Sequence, residues 1–178
     1  TGKTTVIAEI IWQILSNDAA SKILITSQTN LAVDNALERV KGKKIIRPIR
    51  IGNIDKFEDE GILYSIDRIK LWLQAKEGSK EEKLNSDNAI CEWIENIKSS
   101  SSKDEKYKIA VAKWKLGLDK KDATIKNIFY NSYFQHINIF AATCSECGSP
   151  RFSNAFKEAF NKNAESKVET EFDIVIMD

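Results

Sequence analysis

Val6, Ile7, Ile10, Ile11, Ile14 and Leu15 recur as adjacent apolar pairs every four residues, which draws one stripe along a helix of about 3.6 residues per turn. Ser16-Asn17-Asp18 ends the pattern, and Lys22-Ile23-Leu24-Ile25-Thr26 reads as a short strand buried on both faces. A helix followed by such a strand is the repeating unit of a parallel sheet. The polar run Ser27-Gln28-Thr29-Asn30 can cap a second helix, whose apolar positions Leu31, Val33, Leu37 and Val40 keep helical spacing. Ile45 to Ile51 reads as a second strand. Pro48 has no amide to donate, so it belongs at an edge, a bulge or a strand start.

Between residues 55 and 135 the pattern turns mainly helical. Ile90, Trp93, Ile94 and Ile97 share one helical face, as do Tyr107, Val111, Trp114 and Leu118, with the serine run Ser99 to Ser102 between them as a loop or linker. Ile125, Phe129 and Tyr133 suggest a last helix of this block. The strand pattern returns at Ile137 to Thr143 and at Phe172 to Asp178, and Phe152, Phe156 and Phe160 between them sit at a helical spacing of four. The chain therefore reads as an α/β fold with a mostly parallel sheet, carried by residues 1–54 and 136–178 and interrupted by a mainly helical insertion at 55–135 that packs on itself through its tryptophans.

Composition adds the setting. A chain of 178 residues with 42% hydrophobic side chains can build a core. No run approaches the roughly 20 apolar residues that span a bilayer, and the first residues lack the layout of a signal peptide. Three cysteines give no disulfide framework and leave one unpaired under oxidising conditions, which suits an intracellular protein of cytosol or nucleus and no membrane partner. The net charge of +1 hides a gradient, because residues 1–54 carry 8 basic against 4 acidic side chains while residues 136–178 carry 4 against 7. Within the basic third, Lys41-Gly42-Lys43-Lys44 with Arg47 and Arg50 is either a phosphate-facing cluster or a solvated face with cations near a helix C-terminus.

The chemistry begins at the first residues. Gly2-Lys3-Thr4 is the end of the phosphate-loop pattern GxxxxGK(S/T), in which the lysine reaches the β/γ-phosphates and the hydroxyl binds magnesium. The triplet stands where a strong amphipathic helix begins, as that chemistry requires, so that backbone amides and helix dipole face the anion. Asp178 closes the apolar run Ile174 to Met177, the arrangement by which a parallel sheet delivers a metal-binding carboxylate from its C-terminal edge.

Between these ends lies a more specific pattern. Ile23-Leu24-Ile25-Thr26-Ser27-Gln28-Thr29-Asn30-Leu31-Ala32-Val33-Asp34-Asn35 resembles motif Ia of superfamily-1 helicases of the Up-frameshift and senataxin type. Arg50-Ile51-Gly52 is similar to the Arg-Ile-Gly that follows in that family. Phe140-Ala141-Ala142-Thr143-Cys144-Ser145 with Gly148-Ser149 is similar to motif Ic, and Phe172 to Asp178 resembles the strand entering Walker B. Order and spacing agree along the chain, helical insertion included, although the match is sequence-specific only outside residues 55–135.

The resemblance implies a RecA-like P-loop NTPase core, truncated within Walker A and at Walker B, that uses ATP and Mg2+. Gly2, Lys3, Thr4 and Thr5 would hold the nucleotide, Lys3 and Asp178 would serve catalysis, and Thr4 and Asp178 would hold the metal. Thr29, Asn30 and Thr143 would donate to the backbone of single-stranded RNA or DNA, which needs no sequence reading; Thr29 and Asn30 also suit plain helix capping. The implied activity is translocation, with 5′-3′ unwinding, in concert with a second RecA-like domain of the same full-length chain, and the 178-residue piece alone is expected to be inactive and to fold poorly. Another P-loop NTPase, such as a nucleotide kinase, or a non-enzymatic scaffold with a decayed helicase fold remains open. Cys144-Ser145-Glu146-Cys147 has the spacing of zinc and redox sites, but Cys91 and His136 are the only further candidate ligands of those types, so a four-ligand site is not expected. His136 reads as a helix-end or surface residue, and Trp72, Trp93 and Trp114 read as core.

Overall fold

A computed structural model describes residues 2–43, 45–99, 109, 112–113, 116, 123–159 and 171–178. The chain divides into two compact units, Thr1–Asp67 with Phe134–Asp178, and Arg68–Tyr133.

In the first unit, helix α1 (Lys3–Asn17) leads to strand β1 (Ile23–Ser27), helix α2 (Asn30–Val40) and strand β2 (Pro48–Arg50). After the second unit the chain returns through β3 (Ile139–Thr143), a four-residue helix (Cys144–Cys147), a longer helix (Pro150–Ala159) and β4 (Ile174–Met177). Among the described residues the strands form one sheet in the order β2-β3-β1-β4, every pairing parallel. Non-neighbouring order with parallel pairing is what helical crossovers produce. Pro48 opens β2, which lies at the edge of the sheet, so its missing amide leaves no break in a central ladder.

Strands β1 and β3 are buried throughout and form the middle of the sheet. Their register is fixed partly by Asn138, almost fully buried, whose Oδ1 accepts from the Arg47 amide at 2.8 Å. The same side chain donates through Nδ2 to the carbonyls of Ile45 at 2.7 Å and Ala19 at 3.3 Å, so three loops are tied at the amino edge. Phe140 packs against Phe152, Phe156 and Phe172 with ring centroids 5.3–6.2 Å apart across the cluster. These are edge and tilted contacts, each worth about 0.5–1.5 kcal/mol beyond area burial. Phe160, the third phenylalanine of the expected series, lies outside the described residues. The longer helix is capped by Ser149, whose Oγ accepts from the Phe152 amide at 3.1 Å and donates to Glu146 Oε1 at 2.6 Å, with Pro150 in the first helical position.

Two expectations change. The stripe on α1 is covered at Ile11 and Leu15, while Val6 and Ile10 are exposed; β4 likewise exposes Val175 and Met177, alternate residues that point to one face of the sheet, while Ile174 and Ile176 on the other face are half-buried. The boundary of the sheet unit also moves, from residue 54 to Asp67. The cause is a tie between the segment after β2 and α2: the Glu58 amide donates to Asp34 Oδ2 at 2.9 Å, and Arg50 forms an isolated bridge with Ser65.

Gly61 belongs to the same tie. A Cβ placed there would come within 2.5 Å of Asp34 Oδ1. Gly61→Ala therefore has to displace a buried carboxylate, and chemical denaturation should show a loss of about 1–3 kcal/mol; an unchanged midpoint would mean that the segment shifts freely.

The second unit is helical among its described residues. Ile90 and Ile94 are buried on the helix Ala89–Ser99, and the Trp93 ring meets Phe129 edge-on at 5.5 Å and Tyr133 at 6.0 Å. Trp72 is buried, with Lys126 Nζ 5.0 Å from its ring centroid and paired to Glu82. Trp72 and Trp93 thus pack within this unit, as helical spacing predicts. Cys91 is half-buried here, and desolvation pushes its thiol up to about 11. Tyr107, Val111, Trp114, Leu118 and the serines from 100 to 102 lie outside the described residues.

Candidate functional site

Parallel strands release their carboxyl ends on one edge, and four short segments gather there. Ser27 stands opposite Thr143 in the β1–β3 register, and Thr26 stands opposite Met177 in the β1–β4 register, so Asp178 follows directly beside Ser27. The Asp178 amide donates to the Thr26 carbonyl at 3.1 Å, and Ser27 Oγ donates to the Asp178 carbonyl at 2.9 Å. These bonds extend the β1–β4 ladder past the strand end and fix where the Asp178 carboxylate stands. Ser27 has no role in the sequence reading, since only the register reveals that it reaches β4.

Helix α1 starts at the same edge. Gly2 at its N-cap has φ +103°, a left-handed conformation that glycine tolerates, and a Cβ there would meet nothing within 4 Å. Lys3 Nζ lies 3.3 Å from Asp178 Oδ1, although the residues are at opposite ends of the chain. The pair is uneven, with the Lys3 side chain 82% exposed and that of Asp178 13% exposed. A surface ion pair of this kind adds about 0–1 kcal/mol to stability. Its interest is therefore chemical: an extended ammonium, the half-buried Thr4 hydroxyl one residue on and a shielded carboxylate share an open helix N-terminus. That donor set fits a triphosphate with a magnesium ion, because hard oxygens suit Mg2+ and backbone amides suit phosphate.

Further polar residues, Thr29, Asn30 and Thr143, stand at or just beyond the ends of β1 and β3 at the same edge. Thr29 is the N-cap of α2, its Oγ1 accepting from the Ala32 amide at 3.3 Å, and its side chain is exposed. Asn30, half-buried, accepts at Oδ1 from Arg50 Nη2 at 2.7 Å. Thr143 ends β3 with its Oγ1 3.2 Å from Ser145 Oγ.

Beneath Asn30 lies a buried ion pair absent from the sequence reading. Arg50 is fully buried, and its Nε donates to Asp34 Oδ1 at 2.7 Å. Nη1 donates to the carbonyl of Ile51 at 2.8 Å and to that of Ala141 at 3.5 Å, while the Phe57 ring covers the guanidinium at 4.2 Å. Burial pulls the Arg50 pKa down, opposed by the hydrogen bond and charge of Asp34. This corrects the reading of the basic cluster: Arg50 belongs to the core, Lys41 pairs with Glu60 at 3.2 Å, and Lys43 lies 4.7 Å from the Trp12 ring centroid. The available signal was an aspartate on the buried face of α2, among Val33, Ala36, Leu37 and Val40, and an arginine inside an apolar strand.

Cys144 and Cys147 both meet the Thr26 hydroxyl, with sulfur–oxygen distances of 3.4 and 3.7 Å, and desolvation raises the Cys147 pKa. His136 is exposed just beyond the helix Ala123–Gln135.

A family model described as AAA domain matches residues 1–178. The chain belongs to the AAA domain family. Neither the curated proteins nor the solved structures include a match. With its parallel sheet and helix-initial Gly2-Lys3-Thr4, this AAA domain has the RecA-like fold of a P-loop NTPase. No helix among its described residues is long and apolar enough to cross a membrane.

Proposed function

We propose that this AAA domain is the first motor half of an ATP-dependent helicase or translocase of superfamily 1, of the Up-frameshift and senataxin type, acting on single-stranded RNA or DNA. The observation that carries the proposal is the common carboxyl edge of one parallel sheet, where the Lys3–Asp178 pair stands beside a row of uncharged donors, Thr29, Asn30 and Thr143. In this reading Gly2, Lys3, Thr4 and Thr5 bind ATP, Lys3 neutralises the phosphates, and Thr4 with Asp178 holds magnesium. The metal supplies charge neutralisation for phosphoryl transfer.

Uncharged donors beside a nucleotide site suit a backbone that must be gripped and released regardless of sequence. Hydrolysis would alternate the grip between this half and a second RecA-like domain of the full-length chain, moving 5′ to 3′. The helical unit is then an insertion in the motor, and the free thiols of Cys91, Cys144 and Cys147 suit the reducing cytoplasm or nucleus.

Poly-U or single-stranded DNA should stimulate the ATPase of the full-length protein at least about tenfold, in keeping with coupling of roughly 1–3 kcal/mol between two sites. ATP turnover indifferent to either polymer would favour a P-loop NTPase without a strand site.

A further inference from the structure

We infer that Arg50 is a positioning residue for the strand site: it fixes the orientation of the Asn30 amide so that its NH2 group faces outward as a donor for a phosphodiester oxygen. This deepens the proposed function and rests on it. A guanidinium carries donors and no acceptor, so the atom of Asn30 that meets Arg50 Nη2 at 2.7 Å has to be the amide oxygen. Turning the amide over would set donor against donor. The Asn30 Nδ2 atom is thereby directed away from the cation, on a half-buried residue at the carboxyl edge.

The orientation is rigid because Arg50 itself cannot turn. Asp34 holds Nε, the carbonyls of Ile51 and Ala141 hold Nη1, and Phe57 covers the face of the group. Asp34 is held in turn by the Glu58 amide, and Gly61 leaves room for its carboxylate. Residues from α2, β3 and the segment after β2 thus converge on the one guanidinium of β2 that holds the Asn30 amide. A phosphodiester presents acceptors only, so a fixed outward NH2 matches it without contacting a base.

The test is binding of the full-length protein to fluorescent oligo-U and oligo-dT, read by anisotropy. Asn30→Asp keeps an oxygen for Arg50 and places a second, anionic oxygen where the NH2 stood. Affinity should fall by about tenfold or more, with no fall in melting temperature. Arg50→Lys should weaken binding severalfold in the wild-type background and by nothing further in Asn30→Ala, since its effect passes through Asn30. The inference is overturned if Asn30→Asp binds as tightly as wild type, or if the Arg50→Lys and Asn30→Ala losses multiply. Should Arg50→Lys not fold, the Asn30→Asp result decides alone. Wild-type protein that binds neither oligonucleotide would instead overturn the strand-binding reading, and this inference with it.

Discussion

Lys3→Ala should lower the proposed ATP turnover of the full-length protein by about 10²–10³-fold, the size of effect expected from deleting one preorganised charge at a phosphoryl-transfer site. The Lys3 side chain is mostly exposed and makes only a surface ion pair, so the substitution should shift the melting temperature by no more than the roughly 2–8 °C that 1 kcal/mol moves it. Asp178→Asn should produce a loss of the same order and also raise the magnesium concentration needed for half-maximal activity. Steady-state ATPase assays across a magnesium series distinguish the two variants. Equal turnover in Lys3→Ala and wild type would remove this lysine from the nucleotide site.

Asp34→Ala acts on the fold. It leaves the Arg50 guanidinium buried without a counter-charge and the Glu58 amide without its acceptor. Breaking one side of a buried pair typically costs about 3–5 kcal/mol, a large share of the roughly 5–15 kcal/mol that keeps a domain folded. Urea denaturation should show this as a shift in midpoint. A loss below about 1 kcal/mol would mean that water reaches Arg50 and that Asn30 is not rigidly held.

These two predictions differ in how far the sequence foretold them. The Lys3–Asp178 juxtaposition was readable because periodicity alone showed a helix starting at Gly2-Lys3-Thr4 and an apolar strand ending at Asp178; parallel strands then bring such ends to one edge. The order of strands was not readable, since β3 comes third in sequence but lies between β1 and β2. Register was equally hidden, and with it the role of Ser27.

Ala32-Val33-Asp34-Asn35 and Arg50-Ile51-Gly52 stood out as separate motifs. Nothing in a linear pattern states that Asp34 and Arg50, 16 residues apart, meet in the core. Pairing of that kind depends on α2 crossing over the sheet. The same crossing ties down residues 55–67, which look helical and charged like the insertion but are anchored to Asp34 and Arg50 in the compact unit that holds the sheet. Capping was legible at Thr29, whose hydroxyl does accept from the helix, whereas the Asn30 oxygen is committed to Arg50.

A structure of the full-length protein bound to magnesium and a non-hydrolysable ATP analogue would show whether Lys3 and Asp178 serve one nucleotide. Lys3 Nζ should lie on the terminal phosphates, with the metal shared by Thr4 Oγ1 and the Asp178 carboxylate. A nucleotide bound elsewhere, with Lys3 and Asp178 still paired only to each other, would contradict it.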